Sequence, residues 1–457
     1  MKNITIYSLT LFVVLFSSCS SHKKMAKPDN QKIFDELSES LNHNILEVWY
    51  PRTIDSISGG FLSDFDYKWD MKGVQNKMIV TQARHVWTCS TVAEFYPEKK
   101  AYYLKIASHG VQFLKDKMWD QKLGGFFTLV DRNGNVMKMG KADRITKEAY
   151  GNAFAIYGLA AYVRQTNDTS ALGLAKKAFL WLDKHSYDPH FGGYFQFLEV
   201  DGTPMKNGFN SVPPKDQNSS IHLLEAFTEL YRVWPDPLVK ERLLMMLRLI
   251  RDHISNPKGY LQLYVNQDIS PVSYRDSADD VRKKEWSHDH ISFGHDLETA
   301  YLMLEASEIA GLKNDTLTLR KAKTMVDHSV ENGWDKAVGG FYDAGYYFKG
   351  KNTVTIIKNT KNWWAQAEGL NSLLMMAELF PDDPHHYKSL FLKQWEYINT
   401  YLIDHEHGDW YEGGIDKEPD MKLAMKAQIW KANYHNSRAL MNCLKRLKSK
   451  SEQVKDL

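Results

Sequence analysis

The sequence predicts an all-α protein whose helices form a closed ring of six pairs, an (α/α)6 barrel with short β-hairpins in its loops. A glycine signature, usually beside an aromatic residue, recurs six times. Counted from its last glycine, the steps are 65, 68, 66, 81 and 74 residues. Apolar residues also recur at spacings of three and four through most of the chain. A period of this size indicates a repeated supersecondary unit with room for two helices.

Each repeat combines the glycine signature with a later apolar helix that starts with polar residues. The signatures are Gly59-Gly60-Phe61, Gly124-Gly125-Phe126, Gly192-Gly193-Tyr194, Gly259-Tyr260, Gly339-Gly340-Phe341 and Tyr411-Glu412-Gly413-Gly414. The polar helix starts are residues 82–87, 148–152, 218–222, 292–298, 362–368 and 433–438. If the units are equivalent, all six starts lie at one end of one ring. Polar groups from most of the chain would then converge on one pocket.

Strand signals are confined to short segments after the glycines. Residues 126–130 and 136–137 flank an Asn133-Gly134 turn, and residues 194–200 precede Asp201-Gly202 in the same way. The segment 261–292 is the longest irregular one and accounts for the 81-residue step. Because long loops in compact folds are often functional, this segment is a candidate wall or lid of the pocket.

The N-terminus predicts a lipoprotein signal peptide over residues 1–18. Lys2 precedes an apolar run from Ile4 to Phe16, which is too short to span a bilayer comfortably. The run ends in Ser17-Ser18-Cys19, which resembles a bacterial lipobox with Cys19 as the lipidated residue. Residues 19–31 are polar and predict a flexible tether, and residues 32–450 form the barrel domain. We therefore expect export, with a lipid anchor in the outer membrane facing the periplasm as the only membrane contact.

Composition excludes some classes of partner and favours others. The net charge of +2 gives no electrostatic argument for nucleic acid. The 13 Trp and 24 Tyr suit sugars, whose C–H faces stack on aromatic rings. Beyond Cys19 only Cys89 and Cys443 remain, too few for a disulfide framework or a metal cluster, so both are expected to be buried free thiols.

The polar helix starts contain the residues that predict catalysis. His222, His295 and His435 occur at one phase of the repeat together with Arg84 and Glu298. A single histidine at a helix start is more often a cap or a satisfied core residue. Three histidines, an arginine and glutamates at one phase instead predict a catalytic pocket, in which a carboxylate three residues along can orient an imidazole.

Several histidines could instead be metal ligands. His288, His290 and His295 are close in sequence, and His405-Glu406-His407 resembles a ligand set. The spacing matches no cysteine-containing structural zinc pattern, and most of these histidines fall in predicted loops. The sequence therefore predicts no required metal and no cofactor.

Four runs resemble the N-acylglucosamine 2-epimerase superfamily, and within it most closely the cellobiose and mannobiose 2-epimerases. The runs are Asn218–Asp236, Ser292–Ala306 with Gly-His-Asp-Leu-Glu, Lys361–Leu374 and Ile429–Leu440 with Tyr-His-Asn-Ser-Arg. The resemblance covers nearly all of the chain after residue 31 and implies an (α/α)6 barrel, in agreement with the repeat count. It also implies cofactor-free inversion of C2 of a reducing-end aldose, expected to be a β-1,4-linked mannobiose or cellobiose, through an enediolate.

The resemblance further implies roles for the catalytic residues. His295 and His435 match the pair of acid/base groups on the two faces of the enediolate, and His222 matches the histidine tied to ring opening and closure. Arg84 would face the developing oxyanion, and Glu298 would orient and polarise a histidine.

Substrate contacts are implied in the same way. Asn218 and Glu368 would hold hydroxyls, and Trp364 and Trp430 would stack on sugar rings with Trp363 beside them. Tyr150 and Asn152, at the second polar helix start, complete the predicted substrate-binding set. The expected partner is a small sugar, and the expected assembly is a monomer or weak dimer.

Other functions remain open at this stage. An aldose–ketose isomerase would use the same enediolate, and an N-acylhexosamine 2-epimerase would use the same scaffold. A glycoside hydrolase needs two carboxylates flanking the bond, whereas the predicted pocket is richer in histidine. A non-catalytic glycan-binding lipoprotein would be expected to have lost the histidines, and all three are present.

The lipobox predicts that Cys19 carries the anchor. In cells fed a radiolabelled fatty acid, the native chain should be labelled and should sediment with membranes. Cys19→Ala should lose the label and appear in the soluble fraction, while Cys89→Ala should behave as the native chain does. A Cys19→Ala chain that stays labelled would contradict the lipoprotein interpretation.

Overall fold

The computed structural model describes residues 30–139 and 144–455 and confirms the helical ring. The predicted signal peptide and Cys19 lie outside the described residues. The predicted tether does too, except for Asn30 and Gln31, which begin the first helix. Within the described ranges, no helix combines the length and apolar character needed to cross a membrane.

Helices make up most of the described chain. In chain order they are α1 (Asn30–Glu39), α2 (Glu47–Trp49), α3 (Ile79–Phe95), α4 (Lys100–Phe113), α5 (Ala149–Thr166), α6 (Thr169–His185), α7 (Gln217–Val233), α8 (Pro237–Leu249), α9 (Asp279–Glu285), α10 (Phe293–Ile309), α11 (Thr316–Gly333), α12 (Trp363–Leu379), α13 (Tyr387–Tyr401) and α14 (Tyr434–Lys455). A π-helical segment, Ser40–Leu46, joins α1 to α2, and similar segments extend α4 and α8.

Six inner helices, α3, α5, α7, α10, α12 and α14, form the ring. Each packs against the next, and α14 packs against α3 to close it. The outer helices α4, α6, α8, α11 and α13 each pack against the inner helix that precedes them, and α1 packs against α14. The predicted sixfold repeat of helix pairs is therefore confirmed, and the inner helices begin within three residues of the predicted starts.

The inner helices are buried on nearly every face because each lies between two neighbours, an outer helix and the ring interior. In α3, every residue from Ile79 to Ala93 is buried. A helix that is buried on every face is usually apolar, so the buried polar and charged residues near the start of α3, Gln82, Arg84 and His85, are exceptions to this tendency. These exceptions coincide with the predicted pocket.

Short strands surround one end of the ring. They are β1 (Lys77–Met78), β2 (Leu129–Val130), β3 (Thr146–Glu148), β4 (Phe197–Glu199), β5 (Lys215–Asp216), β6 (Tyr264–Val265), β7 (Ile291–Ser292), β8 (Ala344–Tyr346) and β9 (Thr355–Lys358). The antiparallel pairs β1–β2, β3–β4, β5–β6 and β7–β8 each join the residues before one inner helix to the segment after the next glycine turn, and β9 extends the last pair. The long segment 261–292 contains β6, α9 and β7.

The glycine signature forms one recurrent turn. In the second unit, Asp120 N–H donates to Gly125 O and Gly124 N–H donates to Asp120 O, both at 2.9 Å. Gly124 and Gly125 have φ of 73° and 74°, and a Cβ on Gly124 would lie 2.6 Å from Cδ1 of Trp181. Both the backbone conformation and the packing therefore require glycine at this position.

The predicted sixth signature, at Gly413-Gly414, was wrong in register. The equivalent turn is Gly408-Asp409-Trp410, where Asp404 N–H donates to Asp409 O and Gly408 N–H donates to Asp404 O. Asp409 occupies the second glycine position with φ of 59°, a conformation that Asp tolerates better than most residues. Because the pattern was read for paired glycines, it selected the later pair.

Buried ion pairs fix each turn to the start of an inner helix. We call each pair a latch: the Asp that opens the glycine turn and a Lys shortly before the inner helix. The latches are Asp55–Lys77, Asp120–Lys147, Asp188–Lys215, Asp335–Lys361 and Asp404–Lys426, with N–O distances of 2.5 to 2.9 Å. Lys215 Nζ also donates to Gly192 O and Gln267 O, both at 2.8 Å. One lysine therefore ties its own turn to the hairpin of the next unit.

The fourth unit has no latch. Asn256 stands at the aspartate position and Ile291 at the lysine position. Both partners are replaced together, as expected if a buried charge is tolerated only when it is paired.

The latch predicts a large effect of Lys215→Met on stability. Asp188 would be left as an unpaired buried carboxylate, and breaking such a pair costs about 3–5 kcal/mol of unfolding free energy. Urea unfolding should show this loss, and Asp188→Asn should restore part of it in the double variant. Lys72→Met, which removes an exposed lysine paired with Asp66, should have little effect. Equal midpoints for the two lysine variants would contradict the role of the latch.

Candidate active site

A cavity of about 210 Å³ lies at the end of the ring where the inner helices begin. Its wall consists of residues from all six inner helices or the segments just before them. They are Arg84, Tyr150, Asn218, His222, His295, Glu298, Trp363, Trp364, Trp430 and His435. All ten belong to the twelve predicted catalytic and substrate-binding residues, so the convergence expected from the repeat is observed.

Each of the three histidines has its Nδ1 atom held by a neighbour. His222 Nδ1 lies 2.9 Å from Glu225 Oε2, and His435 Nδ1 lies 2.7 Å from Glu368 Oε1. His295 Nδ1 lies 2.7 Å from Ser292 Oγ, one turn earlier. Because Nδ1 is engaged, Nε2 is the ring nitrogen left to exchange a proton with a ligand.

Burial keeps two of the histidines uncharged. It lowers the pKa of His295 to about 3, with nearby histidines adding to the effect. Burial also lowers the pKa of His435 well below its ordinary value, although Glu298 opposes this. An uncharged imidazole can accept a proton, so either residue can serve as a general base near neutral pH.

Arg84 lies across the cavity wall with its guanidinium fixed by two contacts. Nη2 donates to Tyr150 Oη at 3.0 Å and Nη1 donates to the backbone oxygen of Trp430 at 3.2 Å. The guanidinium also lies over the rings of Phe154 and Tyr434, 4.5 and 5.1 Å from their centroids. A fixed cation in a small enclosed site is suited to stabilise a developing oxyanion.

Aromatic rings cover the histidines and extend to the rim. The Trp364 ring lies 4.6 Å from the His295 ring and 5.7 Å from the His435 ring, between centroids. Trp363 is buried in the wall, whereas Trp430 is 45% exposed. Trp364 can therefore contact a ligand at the histidines, and Trp430 one that projects out of the cavity.

Two predicted residues do not line the cavity. The Asn152 amide accepts from Phe126 N–H at 2.9 Å and donates to Glu148 O at 2.9 Å, so it supports a glycine turn. Glu368 is fully buried behind His435, where it orients the imidazole instead of reaching a hydroxyl. Glu298 does line the wall, but it lies one turn from His295 without bonding to it, and its nearest histidine contact is His435 at 3.8 Å.

A buried ionic cluster behind the histidines was missed as a unit. Arg438 Nη1 donates to Glu225 Oε1 and to Tyr434 Oη, and Nη2 donates to Glu298 Oε1 at 2.5 Å and Glu368 Oε1 at 2.7 Å. Burial alone would raise the pKa of Glu225, but Arg438 and His222 hold it at about 2. The sequence showed that Glu225 follows His222 by three residues and that Arg438 follows His435 by three. It did not show that Glu225 and Arg438 bond to each other.

The histidines considered as metal ligands lie apart. His288 Nδ1 lies 3.0 Å from Glu285, and His405 Nε2 lies 2.8 Å from Asn399 O. Within residues 30–139 and 144–455, the one group of three possible ligand atoms is Glu298, Glu368 and His435. The guanidinium of Arg438 already bonds to both of those carboxylates, so this group resembles an ion-pair cluster more than a metal site.

A larger cleft of about 560 Å³ lies beside α9 and the β8–β9 hairpin. Its wall includes Arg282, Trp286, Tyr346 and Phe348 but no histidine. The smaller cavity is therefore the candidate active site, because it alone of the two combines acid/base groups with a fixed cation.

Comparison with known proteins agrees with this geometry. The model of the N-acylglucosamine 2-epimerase (GlcNAc 2-epimerase) family matches residues 59–439, which is most of the chain. The chain belongs to the N-acylglucosamine 2-epimerase family. Membership confirms the predicted class of enzyme, an isomerase that epimerises sugars, and the matched range runs from the first glycine turn into the start of α14.

Named relatives match between two thirds and nearly all of this chain. A cellobiose 2-epimerase of Bacteroides fragilis is 25% identical over 421 residues, covering 90% of this chain and 98% of that enzyme. A D-mannose isomerase of Thermobifida fusca is 24% identical over 309 residues, 67% of this chain and 70% of that enzyme. The structure of a cellobiose 2-epimerase from Spirochaeta thermophila superposes with a TM-score of 0.79 at 28% identity, covering 94% of this chain and 100% of that one. The predicted resemblance and fold are confirmed.

The low pKa of His295 predicts how stability changes with pH. Folded His295 has a pKa of about 3, and the unfolded value is about 6.5. Between these values the unfolded chain binds the extra proton, so unfolding free energy falls as pH falls. In urea, the unfolding free energy of the wild type should be lower at pH 5 than at pH 7. The difference between the two pH values should be smaller for His295→Gln. If the unfolding free energies of the two proteins changed equally with pH, His295 would take up its proton over the same pH range in the folded and the unfolded chain, and its pKa would not be lowered.

Proposed function

We propose that this protein is a cofactor-independent 2-epimerase that inverts C2 of a reducing-end aldose, with a β-1,4-linked disaccharide such as mannobiose or cellobiose as substrate. The observation that carries the proposal is the set of three histidines around one small cavity, each held at Nδ1, with a fixed arginine beside them. The family supports the reaction type. The substrate and the residue roles are those that the sequence resemblance implies, and the geometry of the cavity supports them.

The reaction needs a base, an acid and a site for negative charge. After ring opening, one histidine removes the proton from C2, and the C–H electrons form a C1–C2 double bond while O1 takes up negative charge. Arg84 stabilises that oxyanion as the planar enediolate forms. The histidine on the opposite face takes up the proton of the C1 hydroxyl when the ring opens, and it returns that proton to C2. The carbonyl re-forms at C1, and on ring closure the proton removed from C2 passes to O1. No electron is gained or lost, so no redox cofactor is required.

The three histidines divide these tasks by their surroundings. His295 and His435 both contact the Trp364 ring and are uncharged in the free protein, which suits the pair that exchanges protons with C2. His222 donates to the ionised Glu225 and sits by Tyr150, with ring centroids 5.3 Å apart. A carboxylate-backed imidazole suits proton transfer to and from the ring oxygen during opening and closure.

The rim of the cavity favours a disaccharide. The cavity is small and suits one sugar ring, with Trp364 as its stacking surface. Trp430 lies at the mouth with about half of its surface exposed, where it can stack on a second ring. The cellobiose 2-epimerases of Bacteroides fragilis and Spirochaeta thermophila, by their names, act on such a disaccharide.

An aldose–ketose isomerase is the second candidate. The Thermobifida fusca relative is named a D-mannose isomerase, and the same enediolate gives a ketose when the proton returns to C1. A glycoside hydrolase is less consistent with the site, because it needs two carboxylates flanking the bond, whereas Glu225, Glu298 and Glu368 all bond to Arg438 and of these three only Glu298 lines the cavity.

We also propose that the enzyme works on exported sugar, held at the outer membrane by a lipid on Cys19. The support is the lipobox-like Ser17-Ser18-Cys19 after a short apolar run. Reducing-end disaccharides released outside the cytoplasm would then be its substrates.

The proposal predicts deuterium exchange at C2. In D₂O without added metal, the protein should convert β-1,4-mannobiose into a product with a glucose-configured reducing end carrying deuterium at C2, as seen by proton NMR. His295→Asn and His435→Asn should each slow the reaction at least about a hundredfold, the usual range for a general acid or base. His405→Asn, an exposed histidine elsewhere on the ring, should leave the rate unchanged.

Three other results would redirect the proposal. A ketose product would favour the isomerase, and free monosaccharide would favour a hydrolase. Full activity in a folded His295→Asn or His435→Asn protein would overturn the catalytic assignment.

A further inference from the structure

One arginine lies behind two of the proposed acid/base histidines. Arg438 is buried on α14, one turn after His435, and its side chain is 2% exposed. Its two terminal nitrogens bond to carboxylates from three other inner helices: Glu225 of α7, Glu298 of α10 and Glu368 of α12. The guanidinium therefore ties four of the six inner helices together beneath the cavity.

The same carboxylates orient the histidines. Glu225 contacts Arg438 through Oε1 and His222 through Oε2, while Glu368 contacts both Arg438 and His435 through Oε1. The Tyr434 hydroxyl donates to Glu225 Oε1 and accepts from Arg438. A continuous chain of bonds therefore runs from the His222 imidazole through Arg438 to the His435 imidazole.

Arg438 is the cation that offsets part of the negative charge of the carboxylates in this cluster. Three carboxylates face one guanidinium, and Oε2 of Glu298 and Oε2 of Glu368 have no hydrogen-bond partner within the described part of the chain. A cluster this negative would draw a proton onto the nearest imidazole, because opposite charge favours the charged form of histidine. The guanidinium offsets that attraction and also lowers the pKa of His435 directly.

We propose that Arg438 is a positioning residue for the epimerisation: its single guanidinium holds the carboxylate partners of His222 and His435 in place and keeps the His435 imidazole free to take up a proton from the sugar. The inference rests on the proposed function and deepens it. It adds a residue that touches no substrate yet orients two histidines that do and keeps one of them, His435, uncharged.

All charged and titratable groups around His435 enter this balance. They are Arg84 of α3, His222 and Glu225 of α7, His295 and Glu298 of α10, Glu368 of α12, and Tyr434 and Arg438 of its own helix. Arg84 is the second cation of the set, but its contacts are to Tyr150 and the backbone of Trp430, not to the carboxylates. Arg438 is therefore the one cation within the described residues that bonds to all three.

Two substitutions separate the charge of Arg438 from its reach. Arg438→Met removes the charge, so the pKa of His435 should rise by about one unit or more as three carboxylates are left facing it. The acid limb of the kcat/KM profile should move to higher pH by the same amount. Arg438→Lys keeps the charge but replaces the two terminal nitrogens with one, which cannot occupy both the Nη1 and the Nη2 positions. The carboxylates should therefore be held less firmly, so kcat should fall about tenfold with KM changed less than about threefold. The pKa of His435 should then stay near its wild-type value.

The histidine pKa is measured by NMR of ¹³C-labelled imidazoles, with His435→Asn used to assign the resonance. The matched control is Arg446→Met, two turns further along α14, where the arginine pairs with Glu378 at the other end of the ring. This control should leave both the titration and the rates unchanged.

An unchanged His435 titration in folded Arg438→Met would overturn the inference, as would wild-type kcat in Arg438→Lys. The lysine variant decides the matter if the methionine variant does not fold. Because the titration needs no turnover, it separates this inference from the proposed function. A shifted titration in a protein that exchanges no deuterium at C2 would overturn the epimerase proposal alone.

Discussion

The structure depends on pairing buried lysines at the rim of the ring. A lysine ammonium taken out of water must be fully bonded. Four of the five latch lysines bond to both the aspartate and a glycine backbone oxygen of the turn: Lys77, Lys147, Lys215 and Lys361. Lys215, for example, is placed by Asp188, Gly192 and Gln267 at once. Since α7 begins two residues later, the latch also fixes where that helix starts. The position of His222, five residues into α7, follows from it.

The helix starts in turn decide which side chains face the cavity. The second residue of an inner helix and the sixth lie four apart and share a face. In the second-residue position stand Tyr150, Asn218, Trp364 and His435, and in the sixth stand Arg84, His222, Glu298 and Glu368. The start of each inner helix at the rim therefore determines where the chemically active side chains lie. The ionic cluster around Arg438 lies one helical turn deeper in the ring.

The sequence allowed the ring, the repeat and most of the cavity wall to be predicted, because a repeat places equivalent residues at the same depth along the axis of the ring. The depth of a residue does not determine whether its side chain points into the cavity or away from it. Asn152 lies only two residues from Tyr150, but the fourth position of an inner helix points outward to the glycine turn, where Gln82 and Gln366 also bond to backbone. The latches were missed because their partners lie 22 to 27 residues apart, and the convergence on Arg438 because its partners lie up to 213 residues away.

The ring closes between the two ends of the chain, where α14 packs against α3. Arg84 from the first inner helix bonds to the backbone of Trp430, just before the last one. The cavity consequently does not exist in any growing chain until the final helix has been made and has docked. Catalytic competence is therefore an all-or-none property of the finished polypeptide. A chain that lacked α14 would leave the ring open and would have no His435, one of the two acid/base groups.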